Sequence, residues 1–150
     1  MYKVISVRPV DRVSLETMLD LSAQLYQGEG WKWDREHARR AAEALLAAPE
    51  SGTILLLEVE GQPVGILVMT ACWSLEFGGR FGLLDELFIA APWRGCGIGT
   101  QALEFAAAWC RERGMEAVRL EVWTGNAGAI RLYQRAGFAL EQRHLMTKRL

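Results

Sequence analysis

Arg94-Gly95-Cys96-Gly97-Ile98-Gly99-Thr100 is the stretch on which the reading of this chain turns. Its three glycines alternate over five residues and run straight into the helical pattern Gln101-Ala102-Leu103-Glu104-Phe105. Glycine permits a tight turn and leaves room for another molecule to reach the backbone amides. A helix that starts there begins with unpaired amides and the positive end of its dipole. The combination is an anion cradle suited to phosphate.

The elements around the turn follow from periodicity and punctuation. The apolar run 81–89 predicts a strand entering the turn, and the helix leaving it extends from 98 to 113, stopped by Gly114. Residues 117–123 predict the next strand. Asn126 then caps a helix to Ala136, Gly137 stops it, and a last strand runs from Phe138 into the C-terminal tail. Upstream, the runs 53–59 and 64–74 are joined by Glu60-Gly61-Gln62-Pro63, which predicts an antiparallel hairpin. Before it, Asp34 caps a helix through Ala38, Ala41, Ala42, Leu45 and Leu46, ended by Pro49. An earlier helix capped by Ser14 presents Leu15, Met18, Leu19, Leu25 and Tyr26 on one face, and Gln27-Gly28-Glu29-Gly30 interrupts it. Residues 2–8 predict the first strand, closed by Pro9. The order β-α-α-β-β-β-α-β-α-β describes an α/β fold, a mixed sheet with helices on both faces.

A chain of 150 residues fits one domain, residues 1–150, with a single adequate core. No apolar run approaches the roughly 20 residues of a membrane helix, and the first residues lack a signal-peptide pattern. The net charge of -1 counts against nonspecific nucleic-acid binding. Cys72, Cys96 and Cys110 are odd in number and unpaired in spacing, so they read as reduced thiols of a cytoplasmic protein. His37 and His144 stand alone and read as solvated, and no metal cluster is visible. These features predict neither a nucleic-acid nor a membrane partner.

Three readings of the glycine turn compete. A P-loop requires lysine before the Ser/Thr, and no lysine precedes Thr100. Gly97-Ile98-Gly99-Thr100-Gln101-Ala102 matches the dinucleotide fingerprint, with Glu121 near the end of the next strand. Against that reading, residues 90–94 separate the turn from its strand, and the remainder after Trp123 is too short for the rest of such a fold. In the third reading, Arg94-x-x-Gly97-x-Gly99 matches the Q/R-x-x-G-x-G/A signature of the GNAT superfamily of acyl-CoA-dependent N-acetyltransferases. Leu83-Leu84-Asp85-Glu86-Leu87-Phe88-Ile89 resembles that family's fourth strand, and residues 126–138, Asn126 to Phe138, resemble its second motif. The element order is similar as well.

The resemblance implies a GNAT-like, mostly antiparallel central sheet and an enzyme that moves an acetyl group from acetyl-CoA to a primary amine by direct attack in a ternary complex, without a metal. It places the pyrophosphate on Gly95, Cys96, Gly97, Ile98, Gly99 and Thr100, with Arg94 and Arg135 adding charge. Side chains at Gly97 and Gly99 would push the phosphates away. Backbone groups around Phe88 and Ile89 would hold the pantetheine arm, where the strand splays from its neighbour, and Asn126 would both cap its helix and touch the arm. Tyr133 corresponds to a family tyrosine that reaches the sulfur. A phenol with a pKa of about 10 can protonate a departing thiolate, which makes Tyr133 the general acid.

A primary ammonium must lose a proton before it attacks. Asp85 is the favoured base or amine anchor; Glu86, its neighbour on the opposite face of the strand, is the fallback. Glu29, Trp31 and Trp33 would wall the acceptor pocket by charge and cation–π contact, and Trp73, Glu76 and Phe77 form a second candidate wall. The acceptor is a small-molecule amine or a peptide amine. The unpaired edge of the last strand would offer a pairing site for a homodimer. A noncatalytic acyl-CoA-binding or regulatory module on the same fold is the alternative, and Tyr133 and Asp85 argue against it.

Overall fold

The computed structural model describes residues 1–150. Five strands form one open sheet in the spatial order of the sequence. They are β1 (Ser6–Pro9), β2 (Gly52–Val59), β3 (Gln62–Ser74), β4 (Gly79–Ile89) and β5 (Val118–Leu120). The first four pair antiparallel, and β5 lies parallel to β4. Helices α1 (Leu15–Glu29) and α2 (Arg35–Leu46) cover one face. Helix α3 (Ile98–Glu112) covers the other, and α4 (Ala127–Arg135) packs beside it through Leu132 and Tyr133.

Each face has its own core. Ile54, Leu56, Ile66, Val68 and Phe88 meet Met18, Leu19 and Ala42 of the first helix pair. Leu57, Val59, Leu67, Met69 and Leu84 meet Ile98, Ala102, Leu103, Ala106 and Trp109 of α3. Burial on both faces explains why 53–59 and 64–74 read as nearly unbroken apolar runs instead of alternating ones.

Three boundaries differ from the expectation. The first strand begins at Ser6. Residues ahead of it are engaged elsewhere: the Lys3 amide donates to the Cys96 carbonyl (2.9 Å), and Gln101 bonds the Lys3 carbonyl (2.6 Å) and the Ile5 amide (3.1 Å). The first helix continues through Gly28 to Glu29, because Gly30, at φ 70°, closes it with a left-handed cap. Its N-terminus is organised by Asp11, whose carboxylate accepts from the Val13 and Ser14 amides and from the Ser14 hydroxyl. Strand β5 has three residues where seven were expected.

The expected last strand does not form, and residues 138–150 carry no regular structure. Alternation holds for Phe138 and Leu140 and then lapses at Glu141-Gln142-Arg143-His144. Arg143 instead binds Glu76 at 3.0 Å and Glu141 at 3.2 Å. The strand expected to offer an edge to a second copy is therefore absent from the fold, while the expected caps at Asp34 and Asn126 are both made.

Candidate active site

Strand β4 positions the site through one irregularity. Glu86 pairs with Val68 of β3 and Leu84 with Met69, so Asp85 is the extra residue of a β-bulge. In a regular strand Glu86 would share a face with Leu84. The bulge reverses that parity: Leu84 points into the α3 core, and Phe88 points into the α1–α2 core. Asp85 and Glu86 consequently line the same cavity, against the opposite-face expectation.

That cavity, about 780 Å³, lies between α1, α2 and the sheet. Met18, Leu19, Ala42, Leu45, Ile54 and Val68 give it apolar walls. Glu86 is anchored there, accepting from the Tyr26 hydroxyl (2.8 Å) and the Ser22 hydroxyl (3.1 Å). Burial raises the Glu86 carboxyl above its ordinary range; Tyr26 and Ser22 partly oppose the shift, and repulsion from Asp85 adds to it. Asp85 has no such partner. Its surface opens to the cavity, and the loss of solvation among the surrounding walls is the one influence that raises its carboxyl. Glu86 also pushes the Tyr26 hydroxyl upward, second to burial. Sequence reasoning missed Tyr26 and Ser22 as polar partners, since helical spacing marks Tyr26 only as a core-facing ring. It also missed His37, which lines the cavity.

The second cavity, about 550 Å³, lies at the end of β4 and reaches Leu25 and Glu29 of α1. It is lined by Phe88 and Ile89, by Arg94, Gly95, Gly97, Ile98, Gly99 and Thr100 of the turn, and by Asn126, Tyr133 and Arg135 of the last helix. Pairing between β4 and β5 ends at Leu84–Leu120, so β4 beyond that point has a free edge on the side of this cavity. Gly97, at φ 80°, is the N-cap of α3. The amides of Ile98, Gly99 and Thr100 precede the first intrahelical donor, Gln101, and are free to receive an anion. Tyr133 stacks edge-on against Phe138 at 5.9 Å, and burial raises its phenol, which keeps it protonated. Asn126 caps α4 by accepting from the Ala129 amide (3.1 Å).

Other candidates stand in different places. The Arg94 side chain donates to the Ile89 carbonyl (2.9 Å) and lies over the Phe88 ring, so it braces the strand–turn junction. Cys96 does not line the cavity; its thiol turns toward the Arg94 carbonyl (3.6 Å). A side chain at Gly97 would meet the Tyr2 ring at 2.6 Å, and one at Gly99 would meet Leu132 at 2.8 Å. At Gly99 the small residue serves the approach of α4 to α3. Of the expected acceptor wall, Trp33 lines the carboxylate cavity and packs on Tyr26, with ring centroids 5.0 Å apart. Trp31 lies edge-on to Tyr26 and is 42% exposed, and Glu29 lines the other cavity. The second candidate wall is remote from both. Glu76 binds Arg119 (2.8 Å) and Arg143, Phe77 packs on Phe81, and Trp73 is 80% exposed.

No helix is long and apolar enough to cross a membrane, and no group of side chains has the makings of a metal site.

Residues 15–138 match the model of the acetyltransferase (GNAT) family. An uncharacterised N-acetyltransferase of Methanocaldococcus jannaschii is 31% identical over 91% of this chain, which spans 61% of that protein's length. An integron cassette protein from the mobile metagenome of Cole Harbour Salt Marsh superposes with a TM-score of 0.85 at 31% identity, covering 96% of this chain and 90% of its own. An aminoglycoside N-acetyltransferase solved in complex with CoA shares the fold with a TM-score of 0.82 at 17% identity, over 99% of this chain and 97% of that one. With the family model matched over most of its length, the chain belongs to the acetyltransferase (GNAT) family.

Proposed function

We propose that the protein transfers an acetyl group from acetyl-CoA to a primary amine held in the carboxylate cavity, by direct attack in a ternary complex. The observation that carries this reading is that successive residues of β4 line both cavities. Its bulge turns an unpartnered Asp85 carboxyl into one, and Leu87, Phe88 and Ile89 meet the glycine turn and Tyr133 in the other.

On this reading the turn amides of residues 98–100 take the pyrophosphate, and the free edge of β4 takes the pantetheine arm. Asp85 attracts the ammonium and accepts its proton, for which a carboxyl raised toward neutrality is better matched than an ordinary aspartate. The neutral nitrogen attacks the thioester carbon and forms the amide bond as the carbon–sulfur bond breaks. Tyr133 gives its proton to the departing thiolate. Glu86, held by Tyr26 and Ser22, lies beside Asp85 in the same cavity as a second carboxyl facing the amine. A walled cavity of about 780 Å³ suits a small-molecule acceptor better than a protein tail. Three free cysteines support a reducing compartment, the cytoplasm.

The test is release of free CoA thiol from acetyl-CoA with a panel of amines, alongside intact-protein mass spectrometry. Amine-dependent thiol release with no acetylated enzyme supports direct attack. An acetyl-enzyme that forms without amine and is discharged by it would refute the mechanism.

A further inference from the structure

We infer that Gln101 is a positioning residue for the glycine turn: together with Tyr2 it clasps the N-terminal segment to the turn and holds the amide cradle in shape before the ligand arrives. The inference rests on the reading of the turn as the pyrophosphate site.

The turn has little to fix its own shape. Gly95 at φ 74° and Gly97 at φ 80° both occupy the left-handed region, and glycine loses more freedom on ordering than any other residue. Left loose, such a turn would be ordered at the expense of ligand binding. The contacts that fix it come from residues 2–5. The Lys3 amide donates to the Cys96 carbonyl at 2.9 Å. The side-chain amide of Gln101 donates to the Lys3 carbonyl at 2.6 Å and to the Gly97 carbonyl at 3.3 Å, and its oxygen accepts the Ile5 amide at 3.1 Å. One side chain thus joins the segment to the N-cap residue of α3. Ile5 is buried in the α3 core, which anchors one end of the segment. Tyr2 closes the other: its ring lies 2.6 Å from where a Gly97 Cβ would stand.

None of Tyr2, Lys3, Ile5 and Gln101 lines the cavity, so they act on a ligand only through the turn. Holding Cys96 and Gly97 sets the direction of the three amides that follow, those of Ile98, Gly99 and Thr100. The clasp bears on the diphosphate end of the site: its hydrogen bonds reach residues 96 and 97 and none in β4 or α4.

The experiment replaces Gln101 with methionine, which keeps the side-chain length and the helical preference and removes its three hydrogen bonds. Thiol release is measured with acetyl-CoA and with S-acetylpantetheine, which carries the thioester and the arm without the nucleotide and its diphosphate. In Gln101→Met the KM for acetyl-CoA should rise about fivefold to tenfold, the effect of about one hydrogen bond lost from the binding-competent turn, while kcat stays within about twofold. By the same argument kcat/KM for S-acetylpantetheine should stay within about twofold. A merely structural role would depress both donors alike. Tyr2 is 65% exposed and outside both cores, so Tyr2→Ala leaves the fold intact. It should raise the same KM about threefold, and it decides the matter if Gln101→Met does not fold.

Equal losses with both donors, or an unchanged KM for acetyl-CoA, overturn the inference and leave acetyl transfer standing. If the wild-type protein does not use the shorter donor, the split between KM and kcat for acetyl-CoA decides alone. If no amine turns over, acetyl transfer falls by itself, and titration calorimetry with CoA reads the clasp. Weaker CoA binding in both variants then upholds the inference; equal affinity, or no heat with any of the proteins, overturns it.

Discussion

Replacing Gly99 with alanine separates two reasons for a small residue in the turn. One is access for a ligand; the other is the approach of α4. The backbone at Gly99 is ordinary helix, so alanine itself is favoured there, by about 0.5–1 kcal/mol near the start of a helix. The added Cβ, however, lies 2.8 Å from a Leu132 methyl, with Ile89 next at 3.5 Å. Forcing α4 or the leucine aside costs about 1–3 kcal/mol. The net expectation is a loss of about 0.5–2 kcal/mol, which lowers Tm by about 1–8 °C in a chain of this size.

In a Leu132→Ala background the clash disappears and only the helix term remains. Gly99→Ala should then be neutral or slightly stabilising, and the coupling energy of the cycle should be about 1–3 kcal/mol. Urea unfolding of the four proteins reads the coupling, and calorimetry with acetyl-CoA reads ligand access. The double variant should bind acetyl-CoA as Leu132→Ala does. A coupling near zero, together with loss of acetyl-CoA binding in both backgrounds, would show that Gly99 is small for the ligand and that the packing argument is wrong.

Tyr133→Phe keeps the contact with Phe138 and removes the acid; kcat should fall by about 10²- to 10⁴-fold with little change in acetyl-CoA affinity, and an equal loss of both would assign the ring a packing role. Asp85→Asn should remove the acidic limb of the kcat/KM profile, a limb expected above the usual aspartate range because burial raises this carboxyl. The same variant should be more stable at neutral pH by thermal unfolding. A raised folded pKa means the native state binds the proton more tightly, so the contribution of Asp85 is favourable below the unfolded carboxyl range and is lost as pH rises through the raised value. Glu76→Gln should leave turnover untouched, since Glu76 lines neither cavity. Hydrogen bonds from Arg143 and Arg119 hold its carboxyl down to about 2, so it stabilises above the ordinary glutamate value and ceases to as pH falls toward 2. The acid limb of the unfolding profile should flatten in the variant, and unchanged acid sensitivity would show that the pairs contribute nothing in solution.

What could be read in advance was whatever depends on local pattern. The caps at Asp34 and Asn126, the stop at Gly114 and the glycine turn each follow from what a few consecutive residues can do, and each appears where expected. The final strand failed because two apolar positions at the right spacing do not outweigh the four polar residues that follow, and because Glu76, distant in sequence, draws Arg143 away from any ladder. The hairpin-exit wall of Trp73, Glu76 and Phe77 failed for a related reason: an acid near a predicted site says nothing of which arginine reaches it first. Gly99 shows the limit on reading a motif position by position, since what a small residue makes room for is a property of the neighbouring helix.

The parity of β4 is the deeper case. A strand drawn from sequence alternates, and alternation separates Asp85 from Glu86. Nothing between Phe81 and Ile89 announces the extra residue, because the bulge is imposed by the partner strand: Val68 and Met69 belong to opposite cores, and β4 must supply Glu86 to one and Leu84 to the other. Were the bulge removed, with Leu84 kept in its core, Glu86 would turn into the α3 face as a buried carboxylate without Tyr26 or Ser22, and Phe88 would leave the α1–α2 core. Two cores thus enforce the irregularity, and the irregularity brings a free and an anchored carboxylate into one cavity. Deleting Asp85, unlike straightening the strand around it, should therefore spare both cores. Without the extra residue Leu84 and Glu86 alternate as in a regular strand, and Leu87 and Phe88 keep their faces. Urea unfolding should show little loss, and a large loss would refute this account of the bulge.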